Sequence, residues 1–253
     1  MTEVSITNHP RRLTHTSAAS VQTYARITGV LFLISLVAGG FGEAFVPSKL
    51  IVPADATATA NNILASRALF RLGFAGYLIE AMCDISLTLL LYVLLRPVRR
   101  DLALLAAFFR LVGTAVFAFA ELFYFAPLLI LGGAGYLKTF SPDQLNTLAL
   151  LSLKLYGYGG GLYMVFYGAG SILLGYLIFR SGYLPRFLGV LLALGGLAFV
   201  IKNFALVLAP RYASSFLLLP LILSAVALPL WLLVRGVDLA KWQEKAALAG
   251  SLE

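Results

Sequence analysis

Six long apolar stretches fill the chain, and about 20 mostly apolar residues are what an α-helix needs to cross a bilayer. They run over residues 24–45, 69–95, 102–131, 148–179, 184–208 and 215–234. Hydrocarbon offers backbone N–H and C=O groups no partner, so each stretch must satisfy its own hydrogen bonds as a helix. The expected fold is all-α, an integral membrane bundle of six transmembrane helices. The third and fourth stretches exceed the minimum length, which predicts tilt or an interfacial first turn.

Composition agrees. The 253 residues are 60% hydrophobic and 12% charged, where a soluble domain carries about a quarter charged. No low-complexity linker divides the chain, so one domain is expected over 24–237, between polar tails at 1–23 and 238–253. Residues 27–38 resemble the apolar core of a signal peptide, with Gly42-Glu43-Ala44 as a poor cleavage site. Because a long polar segment precedes them, they are read as a retained first span.

Basic residues near the span ends set the expected orientation. Arg11, Arg12, Arg26, Arg96, Arg99, Arg100, Arg180, Arg186, Arg235, Lys241 and Lys245 fall on one side; Lys49, Arg67, Lys138 and Arg211 fall on the other. The first side is predicted to be cytoplasmic, giving N-in and C-in, which requires an even number of spans.

Outside, Pro53-Ala54-Asp55 and Ser141-Pro142-Asp143-Gln144 open two short interfacial helices, the second with a serine N-cap and proline at the first helical position. Inside, Arg96-Pro97 and the run from Gly182 to Arg186 are tight turns. The tail beyond Asp238 is expected to fray.

The net charge of +8 fits cytoplasmic-loop bias. Its cations are not striped with aromatics, so no nucleic-acid partner is expected. Cys83 is the single cysteine, which excludes a disulfide framework and cysteine metal sites. His9 and His15 both lie in the N-terminal tail. The bundle is therefore expected to hold no haem, no zinc site and no histidine-activated nucleophile, hence no cofactor, no metal and no catalytic residue.

Several runs resemble a bacterial membrane family known as domain of unknown function 4386. They are Ser48-Lys49-Leu50-Ile51-Val52-Pro53, Ala60-Asn61-Asn62-Ile63-Leu64, Leu69-Phe70-Arg71-Leu72-Gly73-Phe74, the run from Leu104 to Arg110, and the run from Gly175 to Pro185. The last is the most specific, since an arginine, a Ser-Gly turn and a proline at fixed offsets are not dictated by hydrophobicity. The resemblance implies a polytopic protein of a bacterial inner membrane and supplies no activity. Similar sequences often place acids or histidines where this chain has Gly135, Lys154, Tyr156 and Gly170, which argues against carrying over a polar site on the fourth span.

Ionisable side chains within the spans cost several kcal/mol each unless paired, so they are the functional lead. Glu80 and Asp84 are four apart and share a face of the second span. Counted along the helix rise, Asp84 and Arg110 lie at overlapping depths on consecutive spans, which predicts a buried ion pair. The same counting pairs Glu121 with Lys202 and Glu43 with Arg71, while Lys154 snorkels to the outer interface. Glu80 and Asp84 also resemble an acid/base pair or a hard-cation site, but no partner nucleophile accompanies them.

Tyr156-Gly157-Tyr158-Gly159-Gly160-Gly161 lacks the preceding residues of a potassium filter. Close helix packing through Gly157/Gly161 and Ser171/Gly175 is the plainer expectation, with local unwinding at the glycines as an alternative. Tyr92 before Arg96 and Tyr176 before Arg180 form a faint echo, better explained as interfacial anchors.

The function expected from these residues is binding or passage of a small polar or amphiphilic solute at the buried charges Glu80, Asp84, Arg110, Glu121, Lys202, Glu43 and Arg71. The alternatives are an intramembrane enzyme acting on lipid and a structural or accessory membrane protein. The expected partners are the bilayer and a small solute or lipid. Nothing in the residues fixes an oligomeric state.

Overall fold

The computed structural model describes residues 18–209, 211 and 219–251, so most of the N-terminal tail, with His9 and His15, and the expected start of the sixth span at residue 215 lie outside it. All regular structure among the described residues is helical. The first span is α1 (Ala18–Gly39), which runs through a π-helical turn (Gly40–Phe45) into α2 (Val46–Leu50). After the short α3 (Ala56–Ala65), the spans are α4 (Arg67–Leu95), α5 (Arg100–Ile130), α6 (Pro142–Ser181) and α7 (Arg186–Leu208). The sixth is α8 (Leu219–Val234), followed through a 97° bend by α9 (Leu239–Gly250).

Five helices are long and apolar enough to cross a membrane, or six where the bent α8–α9 pair counts as one. Their outward faces carry Val37, Met82 and Leu89, each well exposed, which is what a surface in contact with acyl chains requires. The first outer helix appears as α3, capped by Asp55, whose Oδ1 accepts from the Ala58 amide. The second is no separate helix. Ser141 and Gln144 form a reciprocal capping box, but α6 then runs unbroken for 40 residues, so the cap opens the span itself.

Chain order and spatial order coincide. Each span packs chiefly on its predecessor and successor, and α8 returns to pack on α1, so six spans close a ring. Glycine lets the neighbours approach. On α6 and α7, Gly168 faces Gly196 and Gly175 faces Gly189, and a Cβ at any of the four would stand 2.5–2.6 Å from the carbonyl oxygen of its counterpart. The two pairs lie seven residues apart on each antiparallel helix, two turns, making one seam of small residues. At the tyrosine-flanked glycines the helix does not unwind; Gly157 and Gly160 face open space, whereas Gly159 packs against Ala120 of α5 and Gly161 approaches Asn203.

Two apolar clusters fill the ring. At the end where α1 begins and α9 lies, Leu94, Leu177, Leu188 and Leu232 close the interior. At the opposite end the filling is aromatic: Phe70, Tyr77, Phe117 and Tyr124, with Tyr77 and Tyr124 edge to face at 4.9 Å.

The tail expected to fray is instead ordered as α9. The carbonyl of Leu94, in the last turn of α4, has no intrahelical donor. It accepts from the Tyr183 hydroxyl at 2.7 Å and from the indole of buried Trp242 at 3.0 Å. Gln22 ties the same end together, donating to the Arg235 carbonyl and accepting from the Val237 amide. Asp238 caps α9 through the Lys241 amide, a bond that holds its carboxyl below the usual range.

Candidate functional site

Neighbouring helices and equal depth bring Asp84 and Arg110 together. Arg110 Nη2 donates to Asp84 Oδ1 at 2.9 Å, and both side chains are almost wholly buried. The pair is more fully satisfied than depth alone implies. Arg110 Nε donates to the Thr88 hydroxyl at 3.2 Å, Tyr163 donates to Asp84 Oδ2 at 3.3 Å, and the guanidinium lies 4.7 Å from the centre of the Tyr167 ring. Thr88 lies four residues after Asp84, one turn on, and points the same way. Gly170 makes room for the arginine: a Cβ there would stand 3.2 Å from Arg110 Cγ. An acid or histidine at that position would not fit beside the stem.

The other two expected pairs do not form. No ion pair among the described residues joins Glu121 to Lys202 or Glu43 to Arg71. The ring explains the first, because α6 stands between α5 and α7. It is Asn203 on α7, not Lys202, that faces α6. For the second, α1 and α4 do touch at the right depth, where Gly42 lies against the Gly73 carbonyl. Glu43, however, lines a cavity, while Arg71 is exposed on α4. Lys154 is exposed, as snorkelling requires.

Glu121 follows Arg110 by eleven residues, three turns of helix, and so shares its inward face. Both its carboxyl oxygens are buried and accept no hydrogen bond. Glu80 is likewise left with a buried, unpartnered Oε2. It lies against the π-helical turn, where a Cβ on Gly39 would meet that oxygen at 2.5 Å. The Tyr77 hydroxyl donates to the Gly42 carbonyl inside the same turn, at 2.8 Å. A π turn placed within a span is frequently a device for presenting a functional side chain, and here that side chain is Glu43.

Glu43 and Glu80 open onto a cavity of about 270 Å³. Five of the six spans contribute to its wall, through Ser35, Glu80, Tyr167, Phe199 and Ser224 among others. It lies between the first, second, fourth, fifth and sixth spans. Of the seven expected site residues, Glu43 and Glu80 line the cavity. Asp84 and Arg110 are separated from it by Tyr163 and Tyr167, which stand in the wall and touch the pair from behind. Pro229 adds a polar feature that the sequence reading passed over. Lacking an N–H, it leaves the Ala225 carbonyl without its helical donor, and Ala225 lines the cavity.

No group of three or more histidine, cysteine or acidic side chains among the described residues is arranged to hold a metal ion. A separate groove between α1 and α4, lined by Val30, Val37, Leu72 and Ile79, is purely apolar and faces outward.

Fold and site together define a helical bundle of membrane-spanning segments with an acidic, partly aromatic cavity at its middle. The chain belongs to the family described as Domain of unknown function (DUF4386), which it matches over residues 27–236. It is similar to an uncharacterised protein of Archaeoglobus fulgidus, 28% identical over 126 residues. That match covers 50% of this chain and 62% of the archaeal protein, so the similarity spans less than two thirds of the relative's length. No solved structure matches the chain.

Proposed function

We propose that the protein sits in the cell membrane with both chain ends in the cytoplasm and binds or passes a small polar or amphiphilic solute in its central cavity. One observation carries this reading: the cavity lies in the middle of the ring, drawn from five spans, with Glu43 and Glu80 on its wall and Glu80 Oε2 left without a hydrogen-bond partner. Buried charges kept only to fix helix register are paired and packed dry, as Asp84 and Arg110 are; Glu80 and Glu121 are not. A volume of about 270 Å³ lies just below the range of drug-sized sites, so the solute is small. The aromatic wall supplies the apolar contacts typical of such sites.

The test is binding of small aromatic amphiphiles of each charge type to the full chain in nanodiscs, with the wild type set against Ala225→Phe, which fills the cavity. The reading expects at least one amphiphile to bind the wild type and to lose binding in the filled variant. Binding that survives the filling, or a folded wild type that binds no amphiphile of any charge, overturns it.

A further inference from the structure

The walls of the cavity differ in chemistry along its length. Leu192 and Leu228 lie six residues from the ends of their helices on the α9 side, about 9 Å in, whereas Glu80 lies about 22 Å from the corresponding end of α4. The cavity therefore has an aliphatic floor and an acidic ceiling, with Phe199 and Tyr167 between them.

Its polar groups share one sign. The charged residues on the wall are Glu43 and Glu80, and no lysine or arginine lines it. The nearest cation, Arg110, is already engaged by Asp84, Thr88 and the Tyr167 ring. Glu121 is close enough to interact electrostatically with both Glu43 and Glu80, so the ceiling gathers three carboxyl groups without an ion-pair partner among the described residues.

Two further features point to a ligand. The Ser35 hydroxyl is on the wall, 8% exposed, and makes no hydrogen bond among the described residues. Glu80 Oε2 is buried and unpartnered. Both accept hydrogen bonds, as does the carbonyl freed by Pro229. An anion would meet only repulsion at this end. The carboxyl groups are not arranged as a metal-ligating group among the described residues.

Resting on the cavity reading above, we infer that the solute is an organic cation: a protonated amine carried on a short apolar or aromatic body, its ammonium under Glu43 and Glu80 and its body on the floor of Leu192 and Leu228. The ammonium supplies the counter-charge that the ceiling lacks. Phe199 adds a face suited to a cation. Specificity over a neutral analogue follows from the acceptors, since a site built to bond a charged donor loses those bonds when the donor is absent.

The experiment compares three probes of one shape, phenethylammonium, 3-phenylpropionamide and 3-phenylpropionate, by titration calorimetry on the full chain in nanodiscs. The cation is expected to bind more tightly than the amide by about tenfold or more, the worth of a charge-assisted hydrogen bond, and the carboxylate not at all. Glu80→Gln is expected to erase the preference of cation over amide. Glu43→Gln is the second variant, expected to narrow the preference should Glu80→Gln not fold. Equal binding of cation and amide, both lost in Ala225→Phe, overturns the cationic assignment and leaves the cavity reading intact. Binding of the carboxylate in preference to the cation also overturns it. Binding of none of the three overturns both.

Discussion

Glu80 rests on Gly39. The carboxylate of the second span lies against the bare α-carbon of the first, so closely that a methyl group on Gly39 would stand 2.5 Å from Oε2 and 2.9 Å from Oε1. Gly39 has ordinary helical angles, φ −64° and ψ −47°, so its backbone tolerates alanine and only the carboxylate objects. Gly39→Ala is expected to lower the melting temperature and weaken solute binding in the wild-type background. In a Glu80→Ala background the same substitution is expected to be neutral, or to stabilise by up to about 1 kcal/mol through helix propensity. Equal effects in the two backgrounds would show that the contact does not matter.

Asp84 and Arg110 are expected to act as a unit in unfolding measurements. Asp84→Asn or Arg110→Met alone leaves a buried charge unmatched, at a cost of about 3–5 kcal/mol. The double variant is expected to cost much less than the sum of the singles. Additive losses would be incompatible with the 2.9 Å contact.

The α6–α7 seam gives a contrast within one helix. Gly175→Leu must push α7 away, since even its Cβ would meet the Gly189 carbonyl at 2.5 Å. Several kcal/mol of destabilisation and loss of the folded bundle in mild detergent are expected, as for other overpacked cores. Gly157→Ala on the same helix meets nothing within 4 Å and is expected to leave stability unchanged or slightly raised. A tolerated Gly175→Leu would refute the close seam.

Sidedness can be read by single-cysteine labelling in a Cys83→Ser background. The ring places the α4–α5 turn, the α6–α7 turn and α9 at one end, and Lys49 and Lys138 at the other. Cysteines replacing Arg99 and Arg186 are therefore expected to be labelled from the same side, and the excess of basic residues there assigns that side to the cytoplasm. Labelling of Arg99 and Lys138 positions from one face would contradict the span order.

The span pattern was legible in the sequence because hydrophobic length is a one-dimensional property. The Asp84–Arg110 pair was legible for a related reason: consecutive spans are neighbours, and depth then suffices. Glu121 and Lys202 show where depth stops helping. Height along a helix says nothing about direction around it, or about which helices stand between. The same gap hid the cavity. Depth along an unbroken α-helix pairs Glu43 with Arg71, whereas the π turn at Gly40–Phe45 re-aims the glutamate and leaves no mark in composition. The order of the tail beyond Asp238 is equally hidden; what holds α9 is the uncapped Leu94 carbonyl, which accepts from Trp242, 148 residues away.

A ring that follows chain order has a consequence for biogenesis. Each newly made span finds its main partner in the span just before it, and the closure of the ring, α8 onto α1, is left to the last span synthesised. Until then the glutamates of the first two spans have no enclosing wall, and they enter the bilayer ahead of the helices that will surround them. A chain stopped before α8 would hold most of its contacts and none of its compartment, so the completed compartment reports that synthesis is finished in a way that the folding of any one hairpin does not.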